Sequence, residues 1–341
     1  MLPACLLSGC SLKPGEPAQE ISAPTAAEIT GEDMSDSAPE ERTGNGEEAS
    51  GTEGASGNEG EAGGTEEIKE EETSASEEEE SAQLESFVLY FSGIDVWGWV
   101  DTQSRSDVNI IAAVNPDTRH IQLINTPRDY YVEMPVSDGM KDKLTHAGIY
   151  GVENSVGTLE ILYGIEIDYY IRMNFSGFES IIDTLGGVDV YSEYDFTVEP
   201  IKHYTEGYNH LTGLEALAFV RERHAFASGD NQRGRNQMAL IQAMVDKVCS
   251  VEFLLNYSEI MEELTDMFRT NVPLELIADM VGNQLLDKTE WTVDTYSVTG
   301  SGGSEKTYSV PGSKAYVMIP DEEDVAEAAK LIEGVLNETE R

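Results

Sequence analysis

At Phe87 the chain changes character within a few residues, and that boundary limits what it can fold into. On the C-terminal side, Phe87-Val88-Leu89-Tyr90-Phe91 is a continuous apolar run of strand length, closed by Ser92-Gly93. A strand without polar alternation must be covered on both faces, which predicts a sheet buried between other layers. On the N-terminal side, residues 11–85 are mostly Gly, Ser, Ala, Thr and Glu, with 23 carboxylates against only Lys13, Arg42 and Lys69. So few apolar side chains cannot offset the entropy of ordering that backbone. The expected division is a short segment over 1–10, a disordered acidic linker over 11–85, and a folded domain over 86–341 whose motifs fall within 87–248. About 75 coil residues span on the order of 50 Å, and self-repulsion extends them, so the linker reads as a tether.

Within the folded part the hydrophobic pattern switches between the two periods. Val108 to Val114 and Ile121 to Asn125 read as strands joined through Asn115-Pro116-Asp117-Thr118, a strong turn signal, and so as a hairpin. Gly151 to Tyr163 has helical spacing, Tyr169 to Met173 reads as a strand, and Phe175 to Leu185 as a helix ended by Gly186-Gly187. Val188-Asp189-Val190 restarts a short strand, Thr212 caps a helix through Ala218, and Asn236 to Val248 places Met238, Ile241, Met244, Val245 and Val248 on one stripe. Two more apolar helices, an edge hairpin and a last helix over Glu322 to Leu336 follow. The order is mixed α/β and predicts a three-layer α/β/α domain around a central mixed sheet.

With 65 acidic and 21 basic residues the formal net charge is −44, which argues against nucleic acid as a partner. Cys5, Cys10 and Cys249 are too few for a disulfide framework or a zinc site. Cys249 lies in an apolar helix and reads as a structural thiol. No apolar run is long enough to span a bilayer. The short apolar start ending in Leu7-Ser8-Gly9-Cys10 resembles a bacterial lipobox, in which the cysteine carries lipid. Met1-Leu2-Pro3 lacks a basic n-region and a long apolar stretch, so two readings stay open: a lipid on Cys10, or the remnant of an N-terminal membrane anchor.

Because bases are scarce, their placement is informative. Arg105, Arg128, Arg221, Arg223, Arg233 and Arg235 fall at expected strand ends, turns or helix starts, with Arg221-Glu222-Arg223 reading as a strand end. Guanidinium forks grip phosphate oxygens in pairs and keep their charge, so several together would neutralise a pyrophosphate. Asp95 follows the first strand, Asp107 precedes the second, Asp129 adjoins Arg128 and Asp230 precedes Arg233. Two or three carboxylates beside such arginines suit Mg2+, which takes one or two protein carboxylates plus phosphate oxygens.

In chain order, Gly93-Ile94-Asp95, Arg105-Ser106-Asp107, Pro127-Arg128-Asp129, Lys143-Leu144-Thr145-His146, Leu185-Gly186-Gly187-Val188-Asp189, Val220-Arg221-Glu222-Arg223 and Gly229-Asp230 through Arg233 to Gln237 resemble the LytR-CpsA-Psr family. The resemblance implies an enzyme at the outer face of a Gram-positive-type cytoplasmic membrane. Such an enzyme transfers a glycopolymer, as its sugar phosphate, from an undecaprenyl pyrophosphate carrier to a hydroxyl of peptidoglycan. It implies Asp95 and Asp107 as magnesium ligands, and Arg105, Arg128, Arg221, Arg223 and Arg233 on the pyrophosphate. Asp230 becomes a metal-side or base carboxylate and Gln237 a head-group contact. Arg128 is singled out as the group that stabilises charge building on the leaving phosphate. The chain departs from the family at Asn236, where a second arginine is usual. Arg235 stands one place earlier, a rotation of about 100° on a helix.

The residues leave several matters open. The same grip serves water or a sugar hydroxyl, so a hydrolase stands beside the transferase, and a non-catalytic envelope protein binding anionic polymer or carrier lipid is the rival from another class. The polymer can be a teichoic acid, a capsule or another wall glycan. His146 can face the cleft or hold a helix start, and the apolar helices near Met238 to Val248 and Phe253 to Phe268 can line a polyprenyl tunnel or simply pack a core.

Overall fold

A computed structural model describes residues 83–227, 229–264 and 266–339, without the side chain of Asp230. The lipobox at Cys10 and nearly all of the linker over 11–85 lie outside the described residues.

The elements run β1 (Phe87–Ile94), β2 (Ser106–Asn115), β3 (His120–Asn125), β4 (Tyr131–Glu133), β5 (Lys141–Lys143), α1 (Leu144–Ala147), α2 (Val152–Tyr163) and β6 (Tyr169–Met173). Next come α3 (Phe175–Thr184), β7 (Val188–Ser192), β8 (Phe196–Val198), β9 (Lys202–Tyr204), β10 (Gly207–Leu211), α4 (Gly213–Arg221), α5 (Asp230–Val248) and α6 (Val251–Leu264). The chain closes with β11 (Phe268–Thr270), α7 (Leu274–Asp287), β12 (Thr292–Ser297), β13 (Gly300–Lys306), β14 (Lys314–Pro320) and α8 (Glu322–Leu336).

Six strands form the central sheet in the order β11-β6-β1-β2-β3-β12. β6 and β12 run parallel to their neighbours β1 and β3, and the other pairs are antiparallel. The run at Phe87 is apolar throughout because both of its faces are covered. Val88 and Tyr90 join Ile111, Ile124, Leu159 of α2 and Ile332 of α8 on one face. Phe87 and Leu89 join Ile110, Leu123, Met238 of α5 and Met280 of α7 on the other. This is the three-layer α/β/α arrangement expected, and the expected hairpin of β2 and β3 lies within its sheet.

A second core gathers Val188, Val190, Phe196, Tyr204, Leu211, Leu217 and Phe219 under α5. It packs the short strands β7 to β10 against α4. The glycine stop after α3 is as expected: Gly186 and Gly187 take φ of 73° and 85°, which a side chain would oppose. α4 is closed at its start by a capping box of Thr212 and Glu215. It continues to Arg221, so Arg221 ends a helix and not a strand. α5 begins at Asp230, six residues before the expected start at Asn236, because the polar first turns belong to the cleft and carry no apolar stripe.

Candidate active site

Four strands, β6, β1, β3 and β12, end at the same edge of the sheet, and antiparallel β2 begins there. In α/β proteins ligands gather outside the carboxyl ends of strands. β1 and β2 pair as Gly93 with Val108 and then Ile94 with Ser106, so Asp107 is an extra residue in a bulge. A bulge re-aims its side chain away from the regular pleat. Asp107 is turned toward Arg128, whose Nη1 donates to Oδ2 at 2.7 Å, while the Thr145 hydroxyl donates to Oδ1 at 2.9 Å.

The backbone around Arg128 is held from both sides. The Thr145 and Leu144 amides donate to the carbonyls of Arg128 and Tyr130 at 2.8 Å, and the Met318 amide of β14 donates to that of Asp129 at 2.8 Å. Asp129 stands 3.9 Å from Arg128 Nε and accepts from Lys143 Nζ at 2.8 Å. The guanidinium therefore sits between two carboxylates, each with a second partner. Such a group is oriented before any ligand arrives.

Facing it is the start of α5. Asn231, Arg233, Gly234, Arg235 and Gln237 share with Asp107, Arg128 and Asp129 a cavity of about 240 Å³, closed by Thr126, Thr299 and Tyr316 among others. Gly234 permits this approach, since a Cβ there would stand 2.4 Å from Asn125 Nδ2 at the end of β3. The helix thus directs its unsatisfied N–H groups and positive dipole end toward the same space as three arginines, which favours an anion there.

Of the predicted residues, Asp107, Arg128, Arg233 and Gln237 line this cavity. Gln237 also donates to Val220 O at 3.4 Å, tying α5 to the end of α4. Asp95 lies in the bend after β1 and Arg105, exposed, just before β2, so both stand at the same sheet edge without lining the cavity. Arg221 is outside it as well, its guanidinium 4.4 Å from the centre of the Phe175 ring. Arg223, two residues past α4, donates from Nε to His224 at 3.4 Å. Asp230 is the first residue of α5, and its side chain is outside the described part. Arg235 does reach the cavity, while paired with Glu193 at 3.2 Å and bonded to Gln232. Asn236 is buried and donates to Phe219 O at 3.2 Å, so position 236 serves the α4–α5 contact.

His146 is held at a helix start: its Nδ1 lies 2.7 Å from Oδ1 of fully buried Asp142, whose Oδ2 accepts the Ser309 amide at 2.7 Å. Burial pushes the Asp142 pKa up, but the hydrogen bonds from His146 and Ser309 outweigh it and leave the carboxyl below its ordinary value. Cys249 caps the end of α5, half-buried, with burial pushing its thiol up to about 11, which suits an inert structural thiol. Met238, Ile241 and Val245 pack against the sheet, and Met244 and Val248 join Phe253 and Ile260 of α6 around Ile181, Leu185 and Leu264.

Several residues of the site carry no role in the sequence reading. Lys143 and Thr145, which hold Asp129 and Asp107 without lining the cavity, belong to a quoted motif, and a charged residue and a hydroxyl within three places of His146 are signal enough. Ser297 ends β12, Thr299 lies in the link from β12 to β13 and Tyr316 is on β14, all far along the chain from Arg128, and nothing local in their sequence marks them. The Ser297 hydroxyl is buried in the cavity wall without a hydrogen-bond partner among the described residues. A buried polar atom in that condition is one that a ligand or water would satisfy.

Among the described residues no three His, Cys, Asp or Glu side chains cluster to hold a metal. Asp95 and Asp107 nonetheless stand on adjoining strand ends, at Ile94 and Ser106 of the register. Two carboxylates beside an anion cleft fit Mg2+, which completes its shell with phosphate oxygens and water.

The LytR_cpsA_psr family model matches residues 56–330. The polyisoprenyl-teichoic acid–peptidoglycan teichoic acid transferase TagU of Bacillus cereus is 35% identical over 192 residues, 56% of this chain and 62% of that protein. The chain thus matches somewhat under two thirds of that relative's length. Crystal structures of similar fold include B. subtilis TagV, with a TM-score of 0.63 and 27% identity over 75% of this chain and 99% of that one. TagT bound to LIIa-WTA has a TM-score of 0.60 and 29% identity over 74% and 92%. With the family model spanning most of the sequence, the chain belongs to the LytR-CpsA-Psr family.

Proposed function

We propose that this protein transfers a glycopolymer, as its sugar phosphate, from undecaprenyl pyrophosphate to a peptidoglycan hydroxyl. The observation that carries the reading is the cavity in which Arg128, Arg233 and Arg235 meet the start of α5. Phosphoryl transfer asks for in-line positioning and neutralised charge more than for covalent chemistry. The names of the relatives, a teichoic acid transferase and a protein bound to LIIa-WTA, support a wall polymer as substrate.

The acceptor oxygen attacks the phosphorus bearing the glycan, the bond to the bridging oxygen breaks, and the carrier leaves as its monophosphate with the bonding pair. Arg128 and Arg233 hold the pyrophosphate oxygens, and Arg128, already oriented by Asp107 and Asp129, meets the charge that grows on the bridging oxygen. Gln237 and the Ser297 hydroxyl contact the head group. Asp230 takes the acceptor proton, and Arg105, Arg221 and Arg223 extend the positive rim toward β1 and β6. When bound by Asp95 and Asp107, Mg2+ supplies further charge neutralisation of the phosphates.

The protein acts at the outer face of the cytoplasmic membrane, held through a lipid on Cys10 or another N-terminal anchor. Two or more acyl chains hold stably where one does not, so Cys10→Ala releases a lipid-anchored protein from membranes, and retention in the membrane fraction sinks the lipid reading. The function itself is tested by turnover of a polyprenyl-pyrophosphate glycan by the purified chain. Consumption that needs Mg2+ and Arg128 supports it, and binding without consumption refutes it.

A further inference from the structure

The loop between β1 and β2 turns two indoles outward: Trp99 is 81% exposed and Trp97 50%. The loop is anchored. Val96 O accepts from the Phe175 amide at 3.2 Å, Gly98 O from Asn174 Nδ2 at 2.7 Å, and the Gly98 amide donates to the Ser176 hydroxyl at 3.3 Å. Further along, Thr102 O accepts from Arg172 at 2.7 Å, and Asp101 takes both prongs of Arg269 at 3.0 Å. Trp97 meets Phe175 edge-on with centroids 5.3 Å apart. An indole offers more apolar area than almost any other side chain, so holding Trp99 in water on a fixed loop forgoes a large stabilisation.

We propose that Trp97 and Trp99 form a stacking platform for the sugar rings of a glycan strand. A pyranose presents an apolar C–H face to an indole and a rim of hydroxyls that need acceptors. Asp101, two residues after Trp99, supplies carboxylate oxygens that keep lone pairs beyond its contacts with Arg269. The charges of the loop argue against a bilayer as the occupant. Interfacial tryptophans that bind membranes are accompanied by Lys and Arg that meet lipid phosphates, whereas residues 95–105 hold two Asp and a single base, Arg105, and the two arginines that reach the loop from elsewhere are engaged, buried Arg172 with Thr102 O and Arg269 with Asp101. The platform rests on the function proposed above in one respect: it gives the polysaccharide substrate a surface at the same sheet edge as the cleft. β1 lies two strand spacings, about 10 Å, from β3, where Arg128 follows.

The test uses the full chain and a β-1,4-linked N-acetylglucosamine tetramer. The protein has three tryptophans, and the third, Trp291, is engaged with Gln284 and Arg119, so emission changes report chiefly the loop. The tetramer should shift the emission saturably. By calorimetry, Trp99→Ala should weaken binding about tenfold, while Trp99→Phe retains most of it. Arg128→Ala, which slows turnover roughly a hundredfold under the proposed function, should bind the tetramer as the parent does, so the failure of one idea is read separately from the failure of the other. Equal affinity in Trp99→Ala, no saturable binding, or a shift produced by phosphatidylglycerol vesicles and not by the tetramer would each overturn the platform.

Discussion

Replacing Arg128 with alanine removes the group on which the proposed chemistry depends most. Its effect on folding should be small, and the structure says why. The Arg128 and Asp107 side chains are 25% and 20% exposed, between the exposed pairs worth under about 1 kcal/mol and the buried ones whose breakage costs about 3–5 kcal/mol. After truncation Asp107 keeps the Thr145 hydroxyl and Asp129 keeps Lys143, so neither carboxylate is orphaned. A loss of about 1 kcal/mol, or about 2–4 °C in Tm, follows, too little to depopulate a domain stable by about 5–15 kcal/mol. The catalytic effect should be larger. Removing a preorganised donor from the site of developing charge costs about 3 kcal/mol, roughly a hundredfold in rate. The assay is single-turnover release of polyprenyl monophosphate, with melting followed in parallel. Arg128→Lys should recover little, because an ammonium cannot span Asp107 and a phosphate as the fork does. A parental rate in Arg128→Ala would mean that the arginine only pairs its neighbouring carboxylates.

Further outcomes are expected. Asp142→Ala leaves the Ser309 amide and His146 without their acceptor in a buried site, so stability should fall by about 3 kcal/mol in a denaturant titration. Because the Asp142 carboxyl lies below its ordinary value of 3.8 in the folded state, its contribution is present above that value and lost as pH falls through the folded one. The parent should therefore lose more stability than Asp142→Asn on acidification below about pH 4. Gly234→Ala puts a Cβ against Asn125 and should push the start of α5 from β3; turnover should drop at least tenfold with a modest change in Tm, and unchanged turnover would deny that closeness a role. Asp95→Ala with Asp107→Ala should abolish Mg2+-dependent turnover and leave a folded protein by circular dichroism. Activity that survives both changes, or a chelator, removes the magnesium assignment.

Much of this architecture was legible because local and tertiary preferences agree. The apolar run of β1 needs cover on two faces and receives it, and the turn at Asn115 to Thr118 joins the strands it should. The errors fall where local signals compete or vanish. Arg221-Glu222-Arg223 has no helical stripe and so reads as a strand end, yet the helix runs on to Arg221. Asp230 to Arg235 is too polar to announce a helix, since its side chains serve a cleft and not a core. β12, with an irregular burial pattern, becomes recognisable only through its pairing with β3. For the same reason Arg128, Asp107 and Arg233 were legible from the order of motifs, while Ser297, Thr299 and Tyr316 required the fold.

The central claim meets its most direct test in the products. The full chain is incubated with a polyprenyl-pyrophosphate glycan and Mg2+, with and without peptidoglycan oligomers, and the products are resolved by mass. The account predicts a phosphodiester adduct of glycan and oligomer, formed together with polyprenyl monophosphate and only when oligomers are present. Release of free phosphorylated glycan at the same rate without oligomers would instead make the protein a hydrolase, and an unconsumed carrier would make it a binding protein.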